Sequence, residues 1–187
     1  FISSILLLGI LLFQTMGLAQ TTVAKSGFIT TLYSFFIPII TIVVFKKRYR
    51  PTFWILIFMA LFGMALMCNL EVKDLNQGDL LTLLCSAFAA LHIIYIGMVA
   101  NTIESPVEFN FLQNFFVAFT AVPIALIFGG SVEWGVVIDP NQNIVKGLLY
   151  LGIISSMISF TAQVIAQKKI PAHIAGLIFL TESPLAA

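Results

Sequence analysis

Charge is scarce in this sequence. Only 9% of its 187 residues are Asp, Glu, Lys or Arg and 60% are hydrophobic, against about 25% charged in an ordinary soluble domain. A water-soluble globule of this size could not cover so much apolar surface, so the scarcity points to lipid as the solvent. Cysteine is nearly absent. Cys68 and Cys85 both lie in apolar runs with no metal-type spacing, which excludes a disulfide framework and reads as two small buried side chains. No Gly-x-x-x-x-Gly-Lys, His-Glu-x-x-His or Cys-x-x-Cys occurs, so three common chemistries have no sequence support. No basic stripe marks a nucleic-acid partner, and no low-complexity segment or soluble domain interrupts the chain. No charged segment precedes the first apolar run, so that run is not a signal peptide. The chain starts at Phe1 rather than Met and stops inside "GLIFLTESPLAA". Both ends read as cut, and a fragment of a longer protein is expected.

What is present is apolar length. Charges and turn residues bound seven runs, at about 1–20, 26–45, 52–70, 80–101, 109–130, 147–167 and 171–187. The first six have about the 20 residues a helix needs to cross a hydrocarbon core of ~30 Å. None alternates with period two as a membrane β-barrel would. An all-α integral membrane protein is expected. The connections are short except for "SVEWGVVIDPNQNIVK" (131–146), which has turn chemistry at Asp139-Pro140-Asn141.

Lys and Arg set the orientation. Alternate labelling puts Lys46, Lys47, Arg48, Arg50, Lys168 and Lys169 on one side and Lys25, Lys73 and Lys146 on the other. The positive-inside rule then places "KKRYR" (46–50) in the cytoplasm, as a topology signal or as a site for anionic lipid. The acids Glu71, Asp74, Asp79, Glu133 and Asp139 fall on the outer side and weigh little in topology.

The chain also repeats itself. "SGFITTLYSFFIPII" (26–40) resembles "AHIAGLIFLTESPLA" (172–186) at an offset of 146, which sets Pro38 on Pro184 and Phe36 on Glu182. "LLLGI" (6–10) resembles "LYLGI" (149–153), and "AQTT" (19–22) resembles "AQKK" (166–169), in the same order with small gaps. Runs 2 and 7 are an odd number of helices apart, so equivalent helices enter the membrane from opposite faces. That is the inverted repeat typical of secondary transporters. At 1.5 Å per residue, Pro38, Pro184 and Glu182 each lie roughly 15–18 Å from their own face, near mid-membrane. A doubled five-helix unit has ten helices, of which seven are present: residues 1–75 as the last three of the first repeat and 76–187 as the first four of the second.

Three stretches resemble the drug/metabolite transporter superfamily, in its EamA-type branch: "TTVAKSGFITTLYSFFIPIITIVVFKKRYRPTFWILIFMALFGMALM" (21–67), "NQGDLLTLLCSAFAALHIIYIG" (76–97) and "FTAQVIAQKKIPAHIAGLIFLTESPLAA" (160–187). The resemblance covers almost the whole chain and numbers the runs as helices three to nine of ten. Where many members carry an acid after helix four, this chain has Lys47. The resemblance implies a multi-pass permease of the bacterial cytoplasmic membrane, exporting amino acids or other small metabolites by alternating access. It implies a small-molecule substrate and membrane lipids as partners, no nucleic acid, no cofactor and no ATPase domain, and it leaves a homodimer open.

Several residues are candidates for a substrate or proton site. Glu182 is foremost, because a carboxylate at mid-membrane costs roughly 2.5 kcal/mol or more and should face a cavity or a partner. It reads as a substrate contact, a proton carrier, or a neutral Glu bonded to a neighbouring helix. Pro38 and Pro184 each remove an intrahelical hydrogen bond, and so kink their helices as gating hinges or as packing features. Gln163, Gln113, Asn114 and Gln14 are costly in lipid unless paired, either between helices or at a cavity. His92 and Tyr95 share a helix face at a spacing of three; His92 suits a proton relay or a plain hydrogen bond. Tyr33 is similar, and His173 lies near the interface. Ser155 and Ser159, Ala162 and Ala166, and Ala172 and Gly176 are small residues at the four-residue spacing that lets helices approach. Two other functions are weighed. An intramembrane enzyme would need a catalytic pair, which only Glu182 with His92 could supply. A receptor-like or scaffolding bundle would use its polar groups for packing alone.

Overall fold

The structure is a computed structural model and describes residues 1–67, 76–128 and 144–180. Cys68, Glu71, Lys73, Asp74, Glu133, Asp139, Glu182 and Pro184 lie outside these residues. All the regular structure among the described residues is helical, with no strand. The helices are α1 (Ile2–Leu18), α2 (Val23–Thr31), α3 (Tyr33–Phe45), α4 (Pro51–Met67), α5 (Gln77–Val99, prolonged by a 3-10 turn over Ala100–Thr102) and α6 (Pro106–Phe128). A continuous helix then runs through α7 (Ile144–Leu149), a π-pitched segment (Tyr150–Ser159) and α8 (Phe160–Gln167), and α9 (Ala172–Phe179) follows. Four spans, Val23–Phe45, Gln77–Thr102, Pro106–Ile127 and Ile144–Gln167, are long and apolar enough to cross a membrane. The apolar helices Ile2–Leu18 and Pro51–Leu66 are shorter, near the lower limit of about 17 residues for crossing. The chain is an all-α, multi-pass integral membrane protein.

Local chemistry sets the helix starts. Pro51 and Pro106 occupy first helical positions, where a missing N–H costs nothing. Asn76 and Asp79 form a reciprocal capping box at the head of α5: Asp79 N–H donates to Asn76 Oδ1 and Asn76 N–H donates to Asp79 Oδ2, both at 2.9 Å. Asp79 also receives a hydrogen bond from Thr21 Oγ1 at 2.6 Å and forms an ion pair with Lys25. Asn76 Nδ2 donates to Gln20 O at 2.9 Å. Two groups assigned from sequence to outer loops, Lys25 and Asp79, are thus one polar knot that ties the α1–α2 turn to α5. Asp79 is only 3% exposed.

α5 is the central helix. Its buried Ala89, Ala90, Ile93 and Ile94 pack with Tyr33, Ile37 and Ala175 in the core. Small residues set the close approaches. Gly17 on α1 lies over Gly78 and Thr82 of α5; a Cβ there would fall 2.5 Å from Thr82 Oγ1 and 3.0 Å from Gly78 O. A Cβ on Gly176 would fall 2.7 Å from Ile37 Cδ1, so α9 seats directly on α3. Gln14 joins α1, α2 and α5: it donates to Ser26 Oγ (3.4 Å) and accepts from Thr30 Oγ1 (3.1 Å) and Cys85 Sγ (2.9 Å). The outward faces carry large hydrophobic side chains, such as Phe58, Phe62, Phe111, Phe119 and Leu126, as a lipid-facing surface requires.

Three features differ from the sequence expectation. Helix α3 passes through Pro38, and the discontinuity lies upstream at Leu32, between α2 and α3. Pro38 leaves the Ser34 carbonyl without its usual N–H partner. Nearby hydroxyls bond the backbone of the surrounding turns: Thr31 to Phe28 O, Ser34 to Thr31 O, and Thr41 to Ile37 O and Pro38 O. Lys146, placed by sequence at the end of an outer loop, is inside α7. The sixth run, expected as a plain α-helix, has a π-pitched middle.

Candidate functional site

A cavity of about 270 Å³ lies where five of the helices converge. Its wall is Ile10 of α1, Tyr33 of α3, Ala89, His92 and Ile93 of α5, Ser155 and Ser159 of the π-pitched segment, Phe160 and Gln163 of α8, and Phe179 of α9. His92 is 15 residues into the 26-residue Gln77–Thr102 span, so a rise of 1.5 Å per residue puts it roughly 22 Å from one end of a helix about 39 Å long. The cavity is therefore near mid-depth.

Two polar groups of the wall, His92 and Gln163, are held from behind. His92 is 2% exposed and its Nε2 lies 3.2 Å from Gln113 Oε1 of α6. The pair ties α5 to α6 behind the wall. The ring meets Phe160 edge-on, with centroids 6.0 Å apart. Gln163 Nε2 donates to Gln167 Oε1 (3.2 Å), and Gln167 Nε2 donates to Ile93 O (2.9 Å). Two amides in series thus join α8 to α5 beside His92. Tyr33, 8% exposed, sits just after the Leu32 discontinuity.

The structure brings Tyr33, His92 and Gln163 into one cavity, with Gln113 one bond behind it. Tyr95 is half-buried on α5 and is not in the wall. Asn114 bonds its own helix, donating to Asn110 O (3.0 Å) and Asn110 Oδ1 (2.8 Å). Pro38 is fully buried one turn beyond Tyr33. Lys46, Lys47, Arg48 and Arg50 are exposed at the α3–α4 turn, where Lys46 closes α3 in the left-handed conformation (φ 53°).

Three contributors were not singled out from sequence. Gln167 had a signal, since its four-residue spacing from Gln163 puts the two amides on one face. Asn110, fully buried, had none beyond being polar in an apolar run. Tyr49 was read as part of a charge motif. Its hydroxyl lies 2.7 Å from Thr41 Oγ1, it stacks on Phe53, and its ring meets His173 edge-on at 4.9 Å. The α3–α4 turn is thereby packed against the start of α9. Among the described residues no cluster of His, Cys, Asp or Glu could hold a metal.

Residues 76–187 match the model of the EamA-like transporter family. An uncharacterized transporter of Archaeoglobus fulgidus is 30% identical over 114 residues, which cover 61% of this chain and 36% of that protein. A protein of known crystal structure superposes with a TM-score of 0.72 over 94% of this chain and 60% of its own length. At 17% identity that likeness is one of fold alone. The chain thus spans about a third of the transporter and 60% of the solved structure.

Proposed function

The chain belongs to the EamA-like transporter family, and from that premise we propose that it forms most of the helical core of a secondary transporter. The cargo is an amino acid or another small metabolite, exported by alternating access around the mid-depth cavity. The observation that carries this reading is the cavity itself: five helices supply it, and Tyr33, His92 and Gln163 converge in it. Polar side chains at membrane depth that line a space, instead of closing against one another, are the kind that mark a solute pathway. In this reading residues 1–75 belong to one five-helix repeat and 76–187 to its inverted partner, in a bacterial cytoplasmic membrane with "KKRYR" inside. Glu182 is three residues beyond Phe179, a wall residue. We assign it substrate contact or proton carriage, and Pro184 a hinge beside it.

The test is flux. Full-length protein reconstituted into liposomes should move at least one solute from a panel of amino acids and small metabolites, with or without a pH gradient. His92→Ala and Gln163→Ala should each lower the rate about tenfold, the equivalent of roughly 1.4 kcal/mol. A protein that moves no solute in the panel sinks the transporter reading. A Glu182→Gln variant with wild-type flux at every pH removes the proton role and leaves the cavity reading standing.

A further inference from the structure

Helix α6 meets the bundle through a narrow stripe. Asn110, Gln113 and Val117 are 0%, 3% and 6% exposed, at helical spacing, while Phe111, Leu112, Phe115 and Phe119 face outward. The two polar members of the stripe reach two different helices behind the cavity. Gln113 meets His92. The two hydrogens of the Asn110 amide nitrogen are shared among three acceptors on the helix that runs through the π-pitched segment and α8: Ser156 O (3.0 Å), Met157 O (3.0 Å) and Thr161 Oγ1 (3.1 Å). Asn114 Nδ2 donates to Asn110 Oδ1 at 2.8 Å, which fixes the amide with its nitrogen toward those acceptors.

The carbonyls that Asn110 takes are at a special place. The π pitch of Tyr150–Ser159 gives way to the α pitch of Phe160–Gln167 there. Met157 O already accepts the Phe160 N–H there, so the Asn110 amide adds a donor from another helix at the point where the pitch changes. Ser155 and Ser159, both in the π-pitched segment, line the cavity. Removing the extra residue of a π turn rotates everything on its N-terminal side by roughly 100°, the angle per residue of an α-helix. Ser155 would then leave the wall.

We propose that Asn110 is a positioning residue of the transport cavity: its amide holds the π-pitched register that keeps Ser155 and Ser159 on the wall. It touches no substrate. The proposal rests on the cavity as transport site only for its consequence in flux, and its structural core is testable without any substrate.

The probe is a water-soluble maleimide applied to the full-length protein in membrane vesicles. Ser155→Cys and Ser159→Cys are introduced singly into a background whose native cysteines are replaced. Both should label. Asn110→Leu, of similar volume without the donor, should slow labelling at Ser155→Cys about tenfold, the shift expected from losing one strong interhelical hydrogen bond in lipid. Asn110→Asp keeps an oxygen for Asn114 and loses the donor, so it should behave as Asn110→Leu does. Gln113→Leu cuts the other tie of α6 and should leave labelling unchanged. Should Asn110→Leu prove unstable, Thr161→Val removes a single acceptor and should give a smaller slowing of the same sign. Unchanged labelling in both Asn110 variants overturns the proposal, and so does equal slowing by Gln113→Leu, which would mean that α6 merely loosens. If the labelling result holds but no solute is moved, the transport reading has failed and the positioning role stands.

Discussion

Replacing Asp79 by Ala should destabilise the bundle more than any single substitution at the cavity. The carboxylate is 3% exposed and receives Thr21 Oγ1 at 2.6 Å, Asn76 N–H at 2.9 Å and the Lys25 ammonium. It also lies in the first turn of α5, where negative charge is favoured by the helix dipole. Removing it leaves a cation with 15% side-chain exposure beside the α1–α2 turn without this counter-charge and opens the capping box. Breaking a buried charge pair from one side costs about 3–5 kcal/mol, and the lost cap lies within that figure because the same oxygen serves both. Paired removal should cost less, since Lys25→Met with Asp79→Leu takes both charges out together. The assay is a double-mutant cycle on reversible unfolding in mixed micelles, followed by tryptophan fluorescence. A coupling energy of about 1 kcal/mol or more between residues 25 and 79 is expected. A coupling below about 0.5 kcal/mol, or an Asp79→Ala loss under about 1 kcal/mol, would refute the account of the knot.

Two further outcomes follow from packing and backbone geometry. Gly176→Ala puts a methyl against Ile37 Cδ1, on a residue with no exposure; it should cost about 1–3 kcal/mol, and Ile37→Val in the same chain should recover part of the loss in the same unfolding assay. Lys46 adopts φ 53° at the end of α3, a conformation that costs a side-chain-bearing residue roughly 1–2 kcal/mol. Lys46→Gly should therefore raise the thermal midpoint by a few degrees, and no rise would show that the turn is unstrained.

Much of the architecture was legible because lipid is a demanding solvent. Runs of about 20 apolar residues broken by "KKRYR", "NQGD" and "AQKKIP" leave little freedom but to be helices of membrane length. Tyr33, His92 and Gln163 were readable as candidates because any polar group in lipid needs a partner or a cavity. Sequence could not say which. Asn114 and Gln113 are adjacent and chemically alike, yet one bonds its own helix and the other reaches His92. The difference is the 100° between successive residues on α6, and it has meaning only once α5 is beside that helix.

The sequence by itself determined the solvent, the helical class and the set of polar residues that must be accounted for, because burial costs in lipid act residue by residue. The tertiary structure alone decided which of them share a space. It joined Lys25 to Asp79 across 54 positions, set the π pitch at Ser155 and Ser159 against Asn110, and moved the irregularity of the second span from Pro38 to Leu32. Those outcomes depend on carbonyls and amides finding partners on other helices, and a carbonyl has no identity in the sequence.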